Sequence, residues 1–186
     1  MVDEPISAAR ATTHLRLTSD DPGFADLGAN ITAARKWVEN YCGISIVNQT
    51  RTLVLDAFPA SAIELPDGPV SSVTTIAYVD TDGNSQTVAA HLLATYKLKD
   101  VLTPAFGAAW PSTRDQLAAV TITYEAGMMT NDSPTELLGE EDLTSGILLV
   151  LGDLWENREG KIVGTIQSVN PTVFNLTHLY RRKLGI

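Results

Sequence analysis

Residues 143–158 read LTSGILLVLGDLWENR, and they decide how the rest of the chain has to be arranged. Leu143, Ile147, Val150, Leu151, Leu154 and Arg158 recur at the spacing of one helical face, and Leu148, Leu149 and Trp155 extend the apolar surface to its flanks. A helix apolar over so much of its circumference is covered by several neighbours rather than laid on a surface. Gly146, Gly152 and Asp153 interrupt it, and it is too short to cross a bilayer. It therefore needs protein around it.

The best partner lies far upstream. Phe24, Leu27, Ile31, Ala34, Val38 and Tyr41 form a narrow seam suited to packing on another helix, and Gly43 stands where a left-handed C-terminal cap belongs. A shorter helix precedes it, from Pro5 to about Leu17, followed by a turn through Asp20, Asp21 and Gly23. The helical core is thus expected to include Leu27, Ile31 and Val38 from one segment and Ile147, Leu151, Leu154 and Trp155 from the other.

Between them the period changes from helical to two. Thr50–Ala57, Ile63–Leu65, Val70–Val79, Gln86–Ala89 and Ala118–Tyr124 read as strands, with shorter candidates at Tyr96–Leu98 and Val101–Thr103. Asp80-Thr81-Asp82-Gly83-Asn84 is a hairpin turn. The expected fold class is α+β, an α-helical bundle core interrupted by an inserted antiparallel β module. The expected boundaries are 1–45 plus 128–186 for the helical core with its C-terminal tail, and 46–127 for the β-rich insertion.

Composition removes several function classes. A formal net charge of −9 argues against gripping nucleic acid through phosphate neutralisation, but suits a surface that DNA passes without sticking. Cys42 is the single cysteine, so a disulfide framework and a thiolate zinc site are both excluded, and it reads as a small buried residue. The N-terminal stretch MVDEPISAARATTHL does not read as a signal peptide, and no membrane association is expected.

His14, His91 and His178 lie in separate elements without metal-ligand spacing, and no metal or cofactor is expected. Nucleophile-elbow, P-loop and dinucleotide fingerprints do not occur. The acidic turn at 80–84 fails as a calcium loop, because its glycine is misplaced and His91 stands where a bidentate Glu is required. Trp110-Pro111 reads as a cover for the open side of a small sheet, with a sugar platform as the alternative.

Charge is polarised along the C-terminal third. Glu136–Glu159 holds seven acids against Arg158, whereas nothing after Glu159 is acidic and Lys161, Arg181, Arg182 and Lys183 are basic. The amphipathic stretch from Thr172, with Val173, Leu176, Leu179 and Tyr180 at helical spacing, therefore suits docking by complementary patches. A helix packed on its own subunit with its basic end in water fits the same residues.

Ala33-Ala34-Arg35-Lys36-Trp37-Val38-Glu39-Asn40-Tyr41-Cys42-Gly43 resembles the signature helix of head–tail connector (adaptor) proteins of long-tailed bacteriophages. The resemblance continues in order through Gln49-Thr50-Arg51, Phe58-Pro59, Ile63–Pro66, Pro69–Val73, Ile76–Asp80, Trp110-Pro111, Val120–Gly127 and Trp155–Glu159. It points to the branch of the family with a β-rich insertion. Two stretches depart from the family pattern, the acidic run Gly139–Asp142 and the loop Lys161–Asn170.

The resemblance implies a non-enzymatic ring of self-associated subunits, usually twelve, in the virion neck at the head–tail interface. The subunit would be made in the host cytoplasm. Its implied partners are the portal protein, a stopper or tail-completion protein, and double-stranded DNA in the lumen without sequence-specific binding. It also implies that the tail meets the portal, and Val173, Leu176, Leu179, Tyr180, Arg181, Arg182 and Lys183 are the candidate docking residues. Three alternatives stay open: another ring of the neck or tail (a stopper or tail terminator), a carbohydrate-binding β module using Trp110 or Tyr96, and a hydrolase with a carboxylate pair.

Overall fold

A computed structural model of the 186-residue chain describes residues 4–96, 99–129, 137, 140–157 and 171–182, with the backbone alone at Tyr96. Arg158, Lys183, the loop 161–170 and most of the expected linker before residue 140 lie outside the described residues. The fold class is α+β, with four α-helices and two antiparallel sheets among the described residues. The chain divides into two compact units, one running to Val47 and resuming at Met129, the other formed by 48–128.

In the helical unit, α1 (Ala8–Leu15) starts at Ser7, whose side chain accepts from the Arg10 N–H, and ends at Arg16 in the left-handed conformation. A short 3₁₀ turn at Phe24–Asp26 leads into α2 (Leu27–Cys42). Gly43 terminates α2 at φ 65°, its N–H donating to the Glu39 carbonyl at 2.8 Å, as the sequence predicts. α3 (Glu141–Glu156) packs against α2, and α4 (Pro171–Thr177), continued by a 3₁₀ turn at His178–Tyr180, packs against α3.

Leu27, Ile31, Val38, Ile147 and Leu151 are all at most 3% exposed. Leu154 does not join them: it is 38% exposed, and Trp155 is only half-buried. Leu154 shares the stripe of Leu143, Ile147 and Leu151, but it lies in the last turn of α3, beyond the buried run that stops at Leu151. The helix there outruns its cover.

The β unit contains β1 (Gln49–Leu55), β2 (Ile63–Leu65), β3 (Val70–Val79), β4 (Ser85–Thr87), β5 (His91–Tyr96), β6 (Lys99–Pro104) and β7 (Val120–Ala126). One sheet has the order β1-β7-β3-β4 and the other β2-β6-β5. Their inner faces meet in one core: Ile76, Val120, Ile122 and Tyr124 come from the first sheet, and Ile63, Leu65 and Leu102 from the second. Val70 N–H donates to buried Asp100 at 2.9 Å, and Thr95 donates to the same carboxylate at 2.7 Å, so this buried acid is satisfied. The strand expected at Tyr96–Leu98 ends on two residues outside the described ones, and β5 itself is missed, because Leu92, Leu93 and Ala94 do not alternate in polarity.

Candidate functional site

Two aromatic residues of α2 and the C-terminal segment come together on one side of that helix. Trp37 and Tyr41, one turn apart on α2, stack with ring centres 5.6 Å apart. Phe174 of α4 meets both, tilted against Trp37 at 5.9 Å and edge-on to Tyr41 at 5.0 Å. The Arg181 guanidinium lies over the Tyr41 ring, 5.3 Å from its centre. Each ring is half-buried and Arg181 is exposed, so the cluster reaches the surface.

Below this cluster the segment is fixed to its own unit. Val173 and Thr177 are fully buried, and the Thr177 hydroxyl donates to the Val173 carbonyl at 2.7 Å. Gly146 of α3 gives Thr177 its place: a Cβ built there would lie 2.8 Å from Thr177 Cγ2. Cys42 Sγ donates to the Thr177 carbonyl at 3.5 Å, and the Arg182 N–H donates to the Cys42 carbonyl at 2.8 Å. Burial pushes the Cys42 thiol up to about 11, so it is a neutral packing group rather than a nucleophile.

Tyr180 donates to Glu140, just before α3, and this bond to a carboxylate lifts the phenol to about 12. Glu140, in the acidic run at the start of α3, thus holds the tail's own tyrosine.

These contacts correct the expectation of a tail presented whole to a partner. Val173 is core, Tyr180 is half-buried and engaged by Glu140, and Leu176 and Arg182 are half-buried. Leu179, 66% exposed, and Arg181 face outward. The packing against α3 uses the apolar stripe that the sequence offers equally to a partner.

A second constellation fixes the start of the insertion. Arg35 and Glu39, both 5% exposed on α2, pair at 2.6 Å, and Arg35 Nε donates to Glu4 at 2.8 Å. Burial works against the Arg35 charge, but the two carboxylates outweigh it and its pKa is raised. The other Glu39 oxygen accepts from Ile46 N–H at 2.8 Å, and the Ile46 carbonyl accepts from Met129 N–H at 2.9 Å. The chain therefore leaves and re-enters the helical unit at adjoining points, braced by one buried ion pair. The i,i+4 spacing of Arg35 and Glu39 was a legible signal for half of this; Glu4 and Ile46 gave none.

Asp80 accepts from the N–H groups of Asp82 and Asn84, at 3.0 and 2.8 Å, and the Asn84 bond first among several pulls its carboxyl below the usual range. That carboxylate closes a hairpin. Trp110 stacks on Phe58 at 4.9 Å, and Phe58 meets Tyr78 edge-on, so the tryptophan covers the edge of the β core. Among the described residues there is no cluster of metal-ligating side chains and no helix long and apolar enough to cross a membrane.

No family model and no curated protein matches the sequence. Solved structures do. The chain is similar in fold to a component of gene transfer agent particles. A chain in the virion of the native gene transfer agent (GTA) particle is 24% identical with a TM-score of 0.75, covering 97% of this chain and 92% of that one. The same values hold for a chain in the neck of the empty GTA particle computed with C6 symmetry. For the neck of the native particle computed with C12 symmetry, identity is 23% and the TM-score 0.72 over the same shares. What is shared at this identity is the fold, and it spans both units.

Proposed function

We propose that the chain is a head–tail adaptor: a non-enzymatic structural subunit of a virion-neck ring, expected to hold twelve copies. The ring sits between the portal and the next neck protein, with double-stranded DNA passing through its lumen. The observation that carries this reading is the fold match along 97% of the chain, insertion included, to a chain from particle necks. The colinear motifs around Trp37, Tyr41 and Gly43 support it independently. The charge of −9 suits a lumen that DNA crosses without binding.

In this reading the aromatic cluster forms a platform rather than a released arm. Val173, Phe174 and Thr177 anchor the segment to its own subunit. The portal then meets the outward rim, led by Leu179 and Arg181 with Leu176 and Arg182 beside them; arginine is among the residue types that dominate interfaces. The test is capture of the purified protein by portal-bearing, tail-less heads. Leu179→Asp with Arg181→Glu is expected to leave the fold intact by circular dichroism and to abolish capture. Undiminished capture by this folded variant would remove the rim from the interface, and no capture of the unaltered protein would remove the adaptor assignment itself.

A further inference from the structure

The β unit has two outward faces, and on the described strands their charges, Glu125 on one and the Glu64–Lys99 pair on the other, are each taken up by a neighbour. On the four-stranded sheet the strand registers place Thr52, Thr123 and Thr75 in one row and Val54, Thr121 and Ala77 in the next. The neighbouring row contains Glu125, whose carboxylate is taken up by the Thr50 hydroxyl at 2.6 Å. A sheet face left to water normally displays charged or long polar side chains that discourage association. This one displays short β-branched side chains, stiff at χ1, which lose little freedom when covered.

The three-stranded sheet turns outward Leu92, 57% exposed, with Ala94 beside it and Val101 and Thr103 opposite them on β6. Two charges lie on this face, Glu64 opposite Val101 on β2 and Lys99 on β6, and they are paired with each other at 2.7 Å. Because the two inner faces share one core, the two outer faces lie on opposite sides of the unit. That placement matters for symmetry. A patch that pairs with itself closes a dimer, whereas two different patches on opposite sides join copies head to tail, as a closed ring requires.

We infer that the β unit is a ring-forming module, in which the threonine face of one copy covers the Leu92–Val101 face of the next. The inference rests on the ring reading above and names the surface that would build the ring. Depletion of unpaired charge is a mark of interface cores.

Thr123→Lys disables the first face and Leu92→Lys the second; both positions are solvent-facing, so both variants should fold, which circular dichroism checks. Assembly is read by sedimentation velocity and negative-stain microscopy, alone and on portal-bearing heads. Unaltered protein is expected to give rings under at least one of these conditions. Each variant alone is expected to remain monomeric, its self-association weakened at least about a hundredfold by an unpaired charge in the contact. Mixed together, the two variants retain one good face each, and they should form a 1:1 heterodimer that grows no further.

Rings from either variant would overturn the inference while leaving the ring reading intact; the threonine face would then be turned to the lumen or to solvent. A homodimer of the Leu92→Lys variant through its intact threonine face would overturn the head-to-tail arrangement. Unaltered protein that never self-associates, alone or on heads, would overturn both.

Discussion

Gly146→Ala sets two opposed effects against each other, and the structure says which wins. A glycine in the middle of α3 costs helix stability, and alanine would return roughly 1 kcal/mol of it. The new Cβ, however, would stand 2.8 Å from Thr177 Cγ2, where carbon atoms pack at about 3.5–4.0 Å. Thr177 is fully buried and cannot turn without giving up its 2.7 Å bond to the Val173 carbonyl.

Overpacking of this kind costs about 1–3 kcal/mol, so the net change runs from roughly neutral to about 2 kcal/mol of destabilisation. Thr177→Ser keeps the hydroxyl and removes the methyl, and alone should cost about 0.5–1.5 kcal/mol. In the double variant the alanine fills the vacated space and the helix gain is realised. The pair is therefore expected to be at least as stable as the unaltered protein, with a coupling of about 1–3 kcal/mol. Urea unfolding of the four proteins, followed by the helical signal at 222 nm and the transition of the helical unit, gives that coupling. A Gly146→Ala variant stabilised by about 1 kcal/mol with Thr177 in place, and no coupling, would show that α4 does not lie over Gly146.

Cys42, buried beneath Thr177 and held near 11, should resist thiol reagents in the native protein at mildly alkaline pH, and Gly146→Ala should speed its labelling; fast labelling of unaltered protein would contradict the seating of the segment. Leu151→Ala should destabilise the helical unit by about 2–5 kcal/mol, read by the same urea titration, because Leu151 is fully buried at the centre of α3. Tyr180 ionises near 12 when folded against an ordinary 10.0, so its bond to Glu140 contributes below pH 10 and is lost as pH rises through 12. Relative to Tyr180→Phe, the unaltered protein should therefore lose its advantage over that window in alkaline unfolding, and curves separated by a constant amount would argue against the bond.

The helices were legible because their signals are local: the seam of α2, its cap at Gly43 and the apolar run of α3 each sit within a few turns of chain. β7 was legible because its burial alternates along its length. β5 was not, since its outward Leu92 and Ala94 erase the period-two contrast. Leu154 misled because periodicity reports which face a residue is on, not whether a neighbour reaches that turn.

The tail was ambiguous for a deeper reason. Val173, Leu176 and Tyr180 form an apolar stripe that fits a portal or a sister helix equally well. What settles its packing is a glycine on α3 and a cysteine carbonyl on α2, whose proximity no spacing in the tail reveals. The Glu4–Arg35–Glu39 brace stayed half-hidden in the same way, with Glu4 31 residues away from Arg35 in sequence.

The adaptor assignment is tested most directly by cryo-electron microscopy of portal-bearing heads incubated with the purified protein and reconstructed around the portal axis. The account predicts a ring of this chain stacked beneath the portal, its helical units facing the portal through Leu179 and Arg181 and its β units joining neighbour to neighbour. Heads whose portal vertex carries no added density, or density of this chain elsewhere on the capsid, would contradict it.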